Sequence, residues 1–175
     1  MIARSPLVYL VRHAIAEERG PAWPDDRLRP LTRGGRVRMR AAVAGLATLG
    51  LRIDLVFTSP LVRAVQTAEI LAGGLDPSPS IEELAALSPD EPVAVAGRAL
   101  GRVLQLQGVK RSPAVAFVGH EPGLGELAAW LMGAQAPVVF KKGAVCCLDI
   151  TALPPRGRGR LRWHAPPKML RSLGR

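Results

Sequence analysis

Three short stretches of this chain place reactive side chains directly after apolar runs. Arg12-His13 follows Leu7 to Val11, Thr58-Ser59 follows Ile53 to Phe57 with Arg63 a few residues on, and Gly119-His120 closes "PAVAFVGH". Each is weak alone, because an isolated His is commonly a satisfied structural residue. Together they offer two imidazoles and two guanidiniums with no clustered carboxylate. A cation is a poor occupant of such a set, since guanidiniums repel it. A phosphoryl group is a good one. Arg12 and Arg63 suit its oxygens with bidentate hydrogen bonds, and a neutral imidazole can attack phosphorus to form a covalent phosphohistidine.

The elements that would position these groups can be read from the same sequence. Leu7 to Val11, Ile53 to Phe57 and the "PAVAFVGH" run are short continuous apolar segments, expected to be buried strands. Thr32 sits where a helix N-cap belongs, and the helical pattern after it ends at Gly50. Pro60 suits the first turn of the helix "PLVRAVQTAEILAGG", which places Arg63 in that helix's opening turn. A Pro-rich loop is expected from Asp76 to Pro92, then a helix of about four turns to Gln107, and after the third strand the helix "EPGLGELAAWLMG". Ala144 to Ile150 and Leu161 to Trp163 read as a hairpin, and a short helix is expected after Pro167. Strands alternating with helices predict an α/β layered fold with a largely parallel sheet. No repeat or linker divides the chain, so residues 1–175 are expected to form a single domain. In such sheets the functional crevice lies beyond the carboxyl ends of the strands, where all three reactive stretches fall.

Composition narrows the classes. With 175 residues and 48% apolar content, the chain can bury a sizeable core and is not disordered. No apolar run approaches the roughly 18 residues of a membrane span. Leu7 to Val11 is too short for the apolar region of a signal peptide, which predicts a cytoplasmic protein. Cys146 and Cys147 are adjacent, so on a strand they point to opposite faces and read as buried free thiols. The net charge of +10 is concentrated: seven of the 24 Lys and Arg residues lie from Pro154 to Arg175, where there is no Asp or Glu. That segment is a candidate polyanion-binding tail, or simply a solvated basic terminus. It matches no nucleic-acid-binding motif, so no specific nucleic-acid partner is expected.

"LVRHA", "FTSPLVRAVQTAEIL" and "FVGHEPGLGELAAWL" resemble the three signature blocks of the histidine phosphatase superfamily, which includes the phosphoglycerate mutases. "RPLTRGG" and "LRWHAPPKML" resemble its SixA-type branch, the protein phosphohistidine phosphatases. The resemblance implies a three-layer, phosphoglycerate mutase-like fold and a metal-independent phosphatase without cofactor. It implies His13 as nucleophile, with Arg12, Arg63 and His120 around the phosphoryl group, and a phosphohistidine-bearing protein as substrate. Ser59 is a candidate phosphate contact or a plain turn residue. Arg29 and Thr32 could shape the rim, with Thr32 equally well a simple N-cap. Gln66 and Thr67 are expected to support Arg63, and His164 to be structural. Lys141-Lys142 reads as a solvated strand entrance or a guide for an acidic substrate.

Two departures from the family pattern bear on the chemistry. Ala14 stands where Gly commonly follows the His, a mild change if φ is negative there. The Glu general acid of phosphomonoester-cleaving members falls at Pro89, with Glu82, Glu83, Asp90 and Glu91 nearby but not aligned. An alkoxide leaving group needs that proton, worth about 10²- to 10⁴-fold. Imidazole, with a pKa of about 6.5, leaves far more easily. The sequence therefore favours phosphohistidine hydrolysis. The alternatives are a small-molecule phosphomonoesterase that uses Asp90 or a neighbour as acid, and a non-catalytic polyanion-binding module.

Overall fold

The computed structural model describes residues 5–106 and 113–174. Six strands and five α-helices follow in order: β1 (Leu7–Arg12), α1 (Arg33–Thr48), β2 (Leu55–Thr58), α2 (Val62–Gly73), β3 (Ser80–Glu83), α3 (Val93–Leu106), β4 (Ala114–Gly119), α4 (Gly123–Met132), β5 (Val145–Ile150), β6 (Gly159–Ala165) and α5 (Pro167–Leu173). Two short 3-10 turns, Asp26–Leu28 and Ala85–Leu87, lie in the loops. The strands form one sheet in the order β3-β2-β4-β1-β5-β6. β1–β4, β2–β4 and β2–β3 pair in parallel, while β5 pairs antiparallel to both β1 and β6.

Strand alternation divides the core in two. Tyr9, Val11, Val56 and Cys147 face a cluster built on α1, α2 and α5, including Met39, Leu46, Leu71 and Leu170. Val8, Leu10, Phe57, Phe117 and Cys146 face the other cluster, with Leu100, Leu104, Leu127 and Leu131 of α3 and α4. This is the expected three-layer, largely parallel architecture. The two free cysteines do point to opposite faces. Two close backbone contacts need glycine: a Cβ on Gly45 would overlap the Leu170 carbonyl oxygen, and one on Gly125 the Val138 carbonyl oxygen.

Three local expectations need correction. The segment from Asp76 to Pro92 is not all loop, because Ser80–Glu83 pairs with β2 as the sheet's edge strand. Its polar residues are mostly exposed and give no apolar run to read. Pro60 precedes the second helix instead of opening it, since Leu61 is the cap and Val62 the first helical residue. Strand β6 runs from Gly159 to Ala165, longer than Leu161 to Trp163, because pairing with β5 extends it into glycine- and arginine-rich sequence. The expected end of α3 at Gln107 lies outside the described residues. Thr32 is the N-cap of α1, its hydroxyl accepting from Gly35 N at 2.8 Å. Among the described residues no helix is long and apolar enough to cross a membrane.

Candidate active site

The strand order makes β2, β4 and β1 neighbours, so their carboxyl ends, which carry the reactive stretches, lie side by side. Backbone bonds then lock the ends together. His13 N donates to Gly119 O at 3.0 Å and Ser59 N to Val118 O at 3.0 Å. Gly143 N, in the turn before β5, reaches the carbonyls of both Arg12 and His13 at 3.1 Å. Ala14 N donates to Thr67 Oγ1 at 3.0 Å, and that hydroxyl donates to Arg63 O at 2.7 Å. Thr67 therefore ties the residue after the candidate nucleophile to the helix turn that carries Arg63. Gln66 does a different job, accepting from Leu31 N at 2.8 Å. No non-glycine residue among those described has positive φ, so Ala14 sits where a methyl group is tolerated.

The structure brings four of the expected residues together. His13 and His120 are buried, at 6% and 4% exposure, and their ring centroids lie 5.0 Å apart. His13 Nδ1 pairs with the Ala14 carbonyl at 2.7 Å. A carbonyl only accepts, so Nδ1 carries the proton and Nε2 keeps its lone pair. Burial pushes the His13 pKa down to about 3, against the Ala14 bond and with help from the Arg63, Arg12 and Lys142 charges. His120 is likewise pushed down to about 3, first by burial, then by His13 and Arg63. Both rings are neutral at physiological pH, the state a nucleophilic imidazole requires.

Arg12 and Arg63 are each held from behind. Arg12 Nη1 donates to Phe140 O at 2.6 Å. The Phe140 segment is in turn pinned by Glu121, whose carboxylate accepts from Phe140 N at 2.6 Å and Gly125 N at 3.4 Å. Arg63, 3% exposed, donates through Nη1 to Asp26 O at 2.7 Å and through Nη2 to the Asp26 carboxylate at 3.0 Å. The same carboxylate takes Arg29 Nε at 2.8 Å and Arg19 Nε at 3.0 Å. Partial burial pushes the Asp26 pKa up, but the Arg29 hydrogen bond and the charges of Arg63, Arg29 and Arg19 outweigh it and hold the carboxyl below its usual range. Burial lowers the pKa of both guanidiniums, opposed by Glu121 at Arg12 and by Asp26 at Arg63.

Those anchors leave a specific set of groups over. Arg12 Nε, Arg63 Nε and His120 Nδ1 are buried polar atoms with no hydrogen-bond partner, a condition shared among the described residues only by His164 Nε2, outside this centre. Buried donors are rarely left unmatched, and three around one imidazole fit a multi-oxygen anion. Ser59, fully buried, takes part indirectly. Its Oγ lies 2.9 Å from His120 Nε2 and 3.4 Å from Leu61 N. If the hydroxyl accepts from Leu61 and donates to Nε2, the His120 proton resides on Nδ1, the unpartnered nitrogen.

Beside this centre is an opening of about 710 Å³, lined in part by Arg19, Trp23, Asp26, Pro89, Asp90 and Glu91. Of the branch-typical residues, Arg29 lies behind it. Arg29 is buried, bonded to Asp26 and to the Glu17 carbonyl, so it braces the rim from within. His164 lies outside the centre, packed edge-on to Phe140 at 5.0 Å. Asp26 and Glu121 are the participants that sequence reasoning missed. Asp26 lies 37 residues from Arg63 in a loop with a second Asp beside it, and nothing local distinguishes the two. Among the described residues no group of three or more His, Cys, Asp or Glu is placed to hold a metal ion.

Comparison with known proteins agrees with this geometry. Residues 8–88 match the model of the histidine phosphatase superfamily, branch 1. An uncharacterized protein of Picosynechococcus is 38% identical over 122 residues, covering 69% of this chain and 70% of its relative. The chain belongs to the histidine phosphatase superfamily. Within that superfamily, the phosphohistidine phosphatase SixA of Escherichia coli is 29% identical over 160 residues, 91% of this chain and 93% of that protein. A solved structure of the protein histidine phosphatase SixA complexed with tungstate superposes with a TM-score of 0.79 at 27% identity, covering 93% and 97% of the two chains. Superfamily membership and the SixA likeness support a phosphatase.

Proposed function

We propose that this chain hydrolyses phosphohistidine on a protein, through a phosphohistidine formed on its own His13. The observation that supports this most strongly is the group of unpartnered buried atoms, Arg12 Nε, Arg63 Nε and His120 Nδ1, next to a His13 whose Nε2 lone pair is free. The phosphoryl oxygens take hydrogen bonds from those three donors, which also offset the charge that builds up in the transition state. His13 Nε2 forms the new N–P bond as the substrate's N–P bond breaks. The departing imidazole keeps that electron pair and takes a proton from solvent. Water then attacks phosphorus, the His13 N–P bond breaks, inorganic phosphate leaves, and the lone pair returns to Nε2.

The segment expected to supply a general acid supports the choice of substrate. Pro89 carries no proton, and its acidic neighbours Asp90 and Glu91 lie on the wall of the wide opening. A good leaving group such as imidazole dispenses with an acid, whereas an alkoxide does not. A small-molecule phosphomonoesterase is the second reading, favoured by the presence of those two carboxylates on that wall.

Phosphate release from a phosphohistidine-bearing transfer domain, measured beside a panel of small phosphomonoesters, separates the two readings. Release from phosphohistidine alone, lost in His13→Ala, is the expected result. Faster release from a phosphomonoester, abolished by Asp90→Asn, would put the second reading in its place.

A further inference from the structure

A second cleft is lined by Ile15, two residues beyond His13, and by Gly143. It encloses about 300 Å³ between α1, the 141–143 turn and α5. Five cations line it, Arg38, Lys141, Lys142, Lys168 and Arg171, and no acidic residue does. They come from three separate parts of the chain, and all but Arg171 are exposed. The four ion pairs among the described residues involve none of them. Like charges gathered without counter-charge repel one another and create a positive field that attracts anionic partners.

The cleft adjoins the backbone that carries the candidate nucleophile. Gly143, in its wall, donates to the Arg12 and His13 carbonyls, and Ile15, also in its wall, lies two residues beyond His13. An anion lodged there would belong to the same molecule that presents a phosphoryl group to His13. The lining decides which kind of anion. It offers no aromatic ring on which a base could stack. Four of its five charges sit on exposed side chains instead of buried donors in fixed geometry, which suits a spread of carboxylates better than one small oxyanion.

We infer that this cleft docks a carboxylate-rich surface of the phosphorylated protein substrate. The inference rests on the phosphohistidine reading above and adds to it the face by which the substrate is recognised. Complementary charge of this type acts mainly on encounter rate and orientation, so its effect belongs in kcat/KM and fades with salt.

The test uses the full chain, Arg38→Glu/Lys168→Glu and the neutral Arg38→Gln/Lys168→Gln. Each is assayed on a phosphohistidine-bearing transfer domain with an acidic face, on inorganic tripolyphosphate, on small phosphomonoesters and on 1-phosphoimidazole, which has no carboxylate. Both altered residues are exposed and lie outside the catalytic set, so 1-phosphoimidazole turnover serves as the control for folding. The reversal variant is expected to lose about tenfold in kcat/KM on the phosphoprotein at low salt. The neutral variant should fall between, 1-phosphoimidazole turnover should be unchanged, and the wild-type salt dependence should flatten in both. An unchanged kcat/KM on the phosphoprotein would overturn the docking surface and leave the phosphohistidine reading standing. A loss confined to inorganic tripolyphosphate would overturn it too, giving the cleft to a polyphosphate. A wild-type protein that cleaves 1-phosphoimidazole and phosphomonoesters but not the phosphoprotein would remove both readings.

Discussion

Lowering the pH from about 7.5 to about 5 should destabilise this protein through two buried histidines. His13 and His120 both have folded-state pKa values of about 3, held down chiefly by burial. In the unfolded chain each returns to about 6.5. The unfolded state therefore binds more protons between those values. The stabilisation is complete above pH 6.5 or so and is lost as the pH falls towards 3. At pH 5, about 1.5 units below the unfolded pKa, each ring costs roughly 2 kcal/mol, at about 1.4 kcal/mol per unit. The pair then removes about 4 kcal/mol, a large part of the 5–15 kcal/mol typical of a domain. His164, also lowered by burial, acts in the same direction, so the comparison must isolate the pair. Urea unfolding of the wild type and of His13→Asn/His120→Asn at the two pH values does so. The wild type should lose about 4 kcal/mol more than the double variant between them. Losses equal within 1 kcal/mol or so would refute the neutral, buried histidine pair, and with it the free Nε2 nucleophile.

Other perturbations probe the groups behind the site. Asp26→Ala strips the carboxylate from Arg63 and should lower kcat/KM about tenfold or more, with Asp26→Asn retaining part of the activity; steady-state kinetics check both. Ser59→Ala removes the hydroxyl beside the buried His120 Nε2 and should reduce kcat about tenfold, the worth of one hydrogen bond. It should also lower Tm by a few degrees, because that nitrogen loses its partner. Gly125→Ala would drive a methyl group into the Val138 carbonyl. It should cost about 1–3 kcal/mol in urea unfolding, and activity should fall with it because the same segment holds Arg12 through Phe140.

Much of the site could be read in the sequence because each reactive stretch follows an apolar run. A buried strand that stops must deliver its last residues at the sheet edge, which was enough to nominate Arg12, His13, Ser59 and His120. Arg63 followed from the helix opening after β2. The strand order could not be read this way. Nothing in a pattern of runs says that β4 lies between β1 and β2, yet that order makes the three ends adjacent. Edge strand β3 was invisible because Ser80, Glu82 and Glu83 face solvent and Pro77 and Pro79 stand just before them. Asp26 and Glu121 were missed for another reason, since each acts on partners in other elements and leaves no local signature. The basic cleft was half visible. The sequence located the charge in the C-terminal segment, but only folding brings Arg38 and Lys141-Lys142 to Lys168 and Arg171.

The most direct test of the account is to quench turnover rapidly and find where the phosphoryl group resides on the enzyme. Acid-labile phosphate on His13, attached at Nε2, is the predicted result, because Nδ1 is committed to the Ala14 carbonyl at 2.7 Å. Phosphate at Nδ1, on another residue, or never covalently held during productive turnover would contradict it.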